Sequence, residues 1–171
     1  GLNIPLMLVT TQKQDVVALV DRVGSIISKS LYNSRVIHPW DRSYEMYTHL
    51  VTRDDVSALP DNFAPSLIQE AIAKEYDIRT FYLDGELFSM AIVPDPSTEE
   101  VDFRKLETEQ MRLLPIQLGD TISAKIRSFM EKMDLKVGSL DLIKSTDGTI
   151  YFIEVNHEGI FSMVDGPCNY G

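Results

Sequence analysis

Three polar side chains near the end of the chain have the types and spacing to hold a divalent cation. Glu154 and Asn156 are two residues apart in an apolar run, so on a strand they face the same way. Asp147-Gly148 reads as a two-residue hairpin turn. Thr146 then pairs with Thr149, and counting back places Asp141 directly across from Glu154. Leu140, Leu142, Ile153 and Val155 take the opposite, buried face. Two facing carboxylates repel, so the pair needs a cation between them or a proton on one. Magnesium prefers oxygen ligands and often joins carboxylates to phosphates, and Asn156 adds a neutral oxygen. A solvent-exposed polar face on an ordinary hairpin has the same spacing, and spacing alone leaves both readings open. A longer turn, taking in Lys144-Ser145-Thr146, breaks the register.

The elements that must position these residues follow from patterning. The chain has 171 residues and is 44% hydrophobic, enough for one substantial core in one domain or two tightly packed lobes. Thr10-Thr11-Gln12 caps a short helix through Ala18 and Val20. Residues 25–31 read as a strand with Ile27 and Lys29 on one face, 32–42 as a loop, and 44–51 as the returning strand. Thr52-Arg53-Asp54-Asp55 starts a helix. Residues 1–65 therefore form a smaller α+β lobe, and 66–171 a larger one. In the larger lobe, 66–70 is a short strand, 78–83 and 86–93 form a hairpin about Asp84-Gly85, and 94–100 is a loop. Asp120 or Thr121 caps a helix whose apolar face is Ile122, Ile126, Phe129, Met130 and Met133. Strands 137–143 and 150–156 complete the set. The mixture argues for α+β rather than a doubly wound sheet.

A net charge of −10 disfavours nucleic acid as a partner. No apolar run is long enough to span a membrane. Cys168 is the only cysteine, which fits a reducing, cytoplasmic setting. His38, His49 and His157 lack metal spacing, so zinc is not expected. Gly1 opens directly onto the apolar stretch 2–9, and both ends read as breaks in a longer or processed chain.

Four segments together resemble the ATP-grasp ligases. Asp141, Asp147-Gly148 and Phe152-Ile153-Glu154-Val155-Asn156 are similar to their magnesium-binding end. Ile26-Ile27-Ser28-Lys29 resembles the strand carrying their first nucleotide lysine. Leu67-Ile68-Gln69-Glu70 followed by Tyr76-Asp77-Ile78-Arg79 resembles the adenine-side segment and its Asp-Ile-Arg signature. Asp102-Phe103-Arg104 resembles an arginine motif of the glutamate-ligase branch. The likeness runs the length of the chain. The ending, Asn156-His157-Glu158-Gly159-Ile160-Phe161-Ser162-Met163 and then Pro167-Cys168-Asn169-Tyr170, looks like that of the ribosomal-peptide maturases of grasp-with-spasm systems. Microviridin-type macrocyclases are more distant relatives.

The resemblance implies an ATP-grasp fold, with two small lobes enclosing a nucleotide cleft and the preceding N-terminal domain absent. It implies ATP and Mg2+, and a precursor peptide whose Asp or Glu side chains are activated as acyl phosphates and captured by an amine or hydroxyl. Asp141, Glu154 and Asn156 would hold the metal. Lys29, Gln69, Glu70, Lys74 and Asp77 would bind nucleotide, with Asp77 on the ribose and Lys74 on the purine side. Lys29, Arg79 and Arg104 would stabilise charge on the transferring phosphoryl group. Ser30, Tyr32, Asn33 and Ser34 would form a loop over the phosphates. Each residue also has a structural reading: a surface lysine, a strand-start cap, or a structural ion pair for either arginine. The pattern departs from the family after the asparagine, where Pro-x-Gly-Gln is replaced by His157-Glu158-Gly159-Ile160, beside the expected approach of the acceptor. The absent domain helps hold the leader in relatives, which leaves the activity of this segment by itself open. An amino-acid ligase and a non-catalytic peptide-binding fragment are the rival readings, and a homodimer is among the assemblies allowed.

Overall fold

Residues 1–31, 35–37, 43–45, 47–98 and 102–171 are described in the computed structural model, which divides into two compact units. One unit comprises Pro5–Ile72 with Glu99–Lys105, and the other Gly1–Ile4, Ala73–Thr98 and Leu106–Gly171. The division expected at 65/66 falls inside a strand. The reason is that residues 62–65 continue the ladder of 66–70 instead of linking two lobes.

The first unit contains β1 (Met7–Gln12), α1 (Lys13–Val23), β2 (Ile26–Lys29), β3 (Arg35–Ile37), β4 (Ser43–Glu45), β5 (His49–Val51), α2 (Arg53–Ala58) and β6 (Asn62–Glu70). Its main sheet has the order β1-β6-β2-β5, and β3 pairs with β4 separately. Val16, Leu19 and Val20 recur at helical spacing on α1 and pack onto Ile26, Ile68 and Val56. Thr52 caps α2 in a reciprocal capping box with Asp55, as its sequence suggests. Gln12 occupies the N-cap of α1, but its side chain makes no capping bond; the Lys13 N–H instead donates to the Asp61 carbonyl. The register of β1 on β6 shifts between Thr10 and Gln12. Pro65, which has no N–H to give the ladder, sits at that irregularity, so the strand is longer than 66–70. The single returning strand expected at 44–51 is two short ones, β4 and β5. Within the expected loop 32–42, Arg35–Ile37 is a strand. Tyr32, Asn33, Ser34, His38 and Glu100 lie outside the described residues.

The second unit contains β7 (Lys74–Leu83), β8 (Glu86–Pro94), β9 (Met111–Ile116), α3 (Asp120–Lys132), β10 (Val137–Ser145), β11 (Ile150–Asn156) and α4 (Ser162–Cys168). The sheet is antiparallel throughout, in the order β11-β10-β7-β8-β9. Positive φ at Asp84 and Gly85 makes the tight β7–β8 turn. Ile78, Tyr82, Leu140 and Leu142 project from one face of the sheet onto Ile126 and Met130 of α3. Neither Asp120 nor Thr121 caps α3; Gly119 takes that position, and Asp120 lies in the first turn, where its charge suits the helix dipole. Met133, expected on the apolar face, falls just past the helix and is exposed. Strand β9 has no counterpart in the sequence reading, because Pro115 interrupts the strand pattern; Pro is accommodated there on an edge strand. No helix among the described residues is long and apolar enough to cross a membrane.

Candidate functional site

The face of the second unit's sheet away from α3 carries a row of charge. Arg79 on β7, Asp141 on β10 and Glu154 on β11 are directly opposite one another on three adjacent strands. Residues opposite in a ladder share a face, so the row is set by backbone pairing. Asn156, two residues beyond Glu154, lies opposite Ser139 on the same face.

The pairing of Asp141 with Glu154 is as the sequence suggests, but its route differs. The turn spans one residue more than a two-residue turn allows: Lys144 pairs with Ile150, and the Ser145 N–H donates to the Thr149 carbonyl. A bulge at Ile153 then restores the register. The bulge also reassigns the core: Phe152 and Val155 pack against the α3 side, and Ile153, expected there, does not join that cluster.

Asp141 is held by Arg79 in a two-pronged bridge. Arg79 donates from Nε to one carboxylate oxygen at 2.7 Å and from Nη2 to the other at 2.6 Å. Both side chains are largely shielded, at 17% and 26% exposed. This geometry gives specificity and strength beyond a single charge contact. The guanidinium therefore supplies the countercharge that the facing carboxylates require. The Arg79 Nη1 also lies 3.3 Å from Sδ of Met163. Asn156 Oδ1 accepts the Glu158 N–H at 3.0 Å. Glu154 and Asn156 are exposed. Two carboxylates and an amide oxygen on one face suit a hard divalent cation. Among the described residues no group of three or more His, Cys, Asp or Glu side chains could hold a metal ion.

A strap of residues 157–171 lies along the same face. The Phe161 ring packs at a tilt on Phe81 and edge-to-face with Phe88, Tyr170 packs edge-to-face with Phe88, and the Tyr170 hydroxyl donates to the Ser89 carbonyl. The Ile160 N–H donates to Ser139 Oγ. Lys74 and Asp77 form an ion pair at 2.6 Å at the start of β7. Asp77 shares its face of β7 with Arg79 by alternation.

The remaining candidates belong to the first unit. Ile27 is opposite Gln69, and Lys29 is opposite Leu67, so Lys29 and Gln69 share a face of the main sheet. Lys29 is half-buried. Gln69 is buried, and its Nε2 has no hydrogen-bond partner among the described residues. An orphan buried donor costs about 1–3 kcal/mol. Glu70 is committed structurally, its Oε2 accepting the Leu6 N–H at 3.1 Å. Arg104 forks onto Asp102, with Nε and Nη2 at 2.9 and 2.6 Å, and stacks over the Tyr47 ring. Burial pushes the Asp102 carboxyl up, but the Arg104 guanidinium and the N–H groups of Thr48 and Arg104 outweigh it. They hold Asp102 well below the usual carboxylate range. Asp102, Tyr47 and Met163 had no role in the sequence reading. Asp102 was visible as the partner two residues before Arg104, whereas no spacing signal points to Met163.

The fold of this chain recurs in solved structures. It matches the macrocyclase MdnC bound with precursor peptide MdnA, from Microcystis aeruginosa MRC, at 24% identity and a TM-score of 0.78, covering 95% of this chain and 51% of that one. A RiPP-associated ATP-grasp ligase from Chryseobacterium gregarium, in complex with ADP and a leader and core peptide, matches at 20% identity and a TM-score of 0.83, covering 97% and 50%. The ATP-grasp ligase PsnB, complexed with minimal precursor, Mg and ADP, matches at 21% identity and a TM-score of 0.77, covering 100% and 50%. This chain has the ATP-grasp fold. It spans about half the length of these ATP-grasp structures. No known family profile matches the chain, and no curated protein does so by sequence.

Proposed function

We propose that this chain is the nucleotide- and cation-binding part of an ATP-dependent ligase that activates carboxylates of a ribosomally made precursor peptide. The observation that carries the reading is the cross-strand row Arg79–Asp141–Glu154 with Asn156 beside it. A guanidinium and three oxygen-bearing side chains thus share one face of a sheet in an ATP-grasp fold. The similar structures add that such folds are found with ADP, Mg and precursor peptides.

Asp141, Glu154 and Asn156 would hold Mg2+, which when bound neutralises phosphate oxygens of the nucleotide. Arg79, Arg104 and Lys29 would supply the fixed positive charge on which phosphoryl transfer depends. Asp77 would accept from the ribose hydroxyls, with Lys74 on the purine side holding Asp77 in place. Gln69 would offer its unpaired amide N–H to the base, and Glu70 would contribute through its backbone. In the proposed reaction, a peptide Asp or Glu carboxylate attacks the γ-phosphorus and displaces ADP. An amine or hydroxyl of the same peptide then attacks the acyl carbon and displaces phosphate, leaving an amide or ester.

Calorimetry with ADP, with and without Mg2+, on this chain and its Asp141→Asn and Glu154→Gln variants tests the reading. Magnesium-dependent binding that both variants lose is the expected result. Unchanged ADP binding in both variants would remove these residues from the site.

A further inference from the structure

We propose that Arg79 is a resident counter-ion of the cation site, which leaves Asp141 for a phosphate and so makes cation binding conditional on the nucleotide. The proposal rests on reading Asp141, Glu154 and Asn156 as cation ligands. Both Asp141 oxygens already accept guanidinium N–H groups, and Asn156 Oδ1 accepts the Glu158 N–H. Two of the three donors are thus engaged by the protein's own groups. A guanidinium cannot ligate a metal and repels one. The pair sits on interior strands and is largely shielded, so the repulsion is weakly screened.

The same geometry provides the release. A phosphate offers a guanidinium the same planar fork as a carboxylate with more negative charge, so it is the stronger partner. Nη1, which takes no part in the bridge to Asp141, meets the Met163 thioether among the described residues, and a thioether is a weak acceptor. This nitrogen can therefore engage a phosphate first, and the Nε and Nη2 bonds to Asp141 are then exchanged for bonds to the phosphate. When Arg79 turns to a phosphate, the Asp141 lone pairs become available beside Glu154. Cation and phosphate then bind with positive coupling, and linkage requires each to raise the other's affinity equally. Without nucleotide, Arg79 keeps the two carboxylates from drawing cations out of solution.

The test is a titration of Mn2+, an oxygen-seeking stand-in for Mg2+, read by the electron-spin signal of free Mn2+ with no nucleotide present. Arg79→Met removes the charge at similar length. Arg79→Gln removes it but still donates to Asp141, and provides a second variant should the first fail to fold. Circular dichroism melts verify folding. Either neutral variant is expected to bind Mn2+ about tenfold or more tightly than the parent chain, from the loss of a unit positive charge beside a double one. Adding Asp141→Asn should abolish that gain. ADP should raise Mn2+ affinity more in the parent chain than in Arg79→Met. Asp141- and Glu154-dependent Mn2+ binding that does not strengthen in the Arg79 variants overturns the counter-ion role and leaves the cation site standing. Mn2+ binding indifferent to Asp141→Asn and Glu154→Gln in every background overturns both.

Discussion

Asp141 faces Glu154 across β10 and β11 because two offsets cancel: a turn one residue longer than the minimal hairpin, and a bulge that takes one residue out of the ladder. The extra residue is Ile153, which has no partner on β10. Without the bulge, the longer turn would still bring position 141 opposite a residue of β11, but that residue would be Ile153.

Deleting Ile153 should therefore make the ladder continuous and leave Glu154 across from Asp141, because the deletion removes only the unpaired residue. We expect the deletion variant to keep cation binding that depends on Asp141, with a modest loss of stability. Titration of the deletion variant with and without Asp141→Asn checks this. Loss of the Asp141-dependent signal in a folded protein would show that the bulge itself aims Glu154.

Asp102 gives the first unit an acid-sensitive element. Its carboxyl is held low in the folded chain, so its contribution is fully present above the unfolded carboxylate value of about 4 and is lost as pH falls through the lower folded value. Asp102→Asn should lower stability at neutral pH by about 1–3 kcal/mol, through the weakened bond to Arg104 and the Thr48 N–H. Between about pH 4 and pH 2 the gap between variant and parent should narrow. Melting curves across that range read it out; a gap that widens with acid contradicts the assignment.

Gln69→Leu separates a binding role from a structural one. Removing a buried donor without a partner should leave stability unchanged or raise it by up to about 2 kcal/mol. The same variant should bind ADP more weakly if the amide serves the base. Denaturant unfolding and ADP calorimetry on one preparation decide the matter, and a destabilised variant with intact ADP affinity would count against it.

Gly159 is the hinge on which the strap turns onto the sheet. Its φ of 53° is left-handed, and an added Cβ would stand 3.0 Å from the Phe81 ring and 3.2 Å from backbone atoms of Gly138 and Ser139. Gly159→Ala should cost about 1–3 kcal/mol through strain and crowding. It should also loosen Phe161 from Phe81 and Met163 from Arg79. Urea unfolding measures the first effect, and near-ultraviolet dichroism of the aromatic cluster the second; no change in either would mean the strap tolerates displacement.

The row was legible in part: alternation puts Glu154 and Asn156 on one face, but counting from a two-residue turn reaches Asp141 only because the longer turn and the bulge at Ile153 cancel, and the bulge has no local signal. What sequence could not give is the identity of the neighbouring strand. Arg79 lies far from Asp141 in the chain, and only the order β11-β10-β7 puts them side by side. The facing carboxylates call for a cation or a proton, and the guanidinium from that third strand is such a cation for Asp141. The edge strand β9 was hidden by Pro115, and the extension of β6 by Pro65, since proline breaks the local pattern wherever a ladder accommodates it. Helix α3 was legible from Ile126 and Met130, but its cap was not, because Gly119 carries no side chain to announce itself.

The row also crosses from the interior of the sheet to its border. Arg79 and Asp141 sit on strands paired on both sides, whereas Glu154 and Asn156 sit on the outermost strand. Asn3 bridges that strand near Tyr151, bonding to Ile150 and Phe152. Border strands fray at lower free energy than interior ones, so amides from Glu154 onward should exchange with solvent sooner than those around Asp141. Fraying would withdraw two oxygen donors together and leave the Arg79 bridge untouched. A ligand bound across the row should slow exchange at one border of a sheet whose centre is expected to exchange slowest.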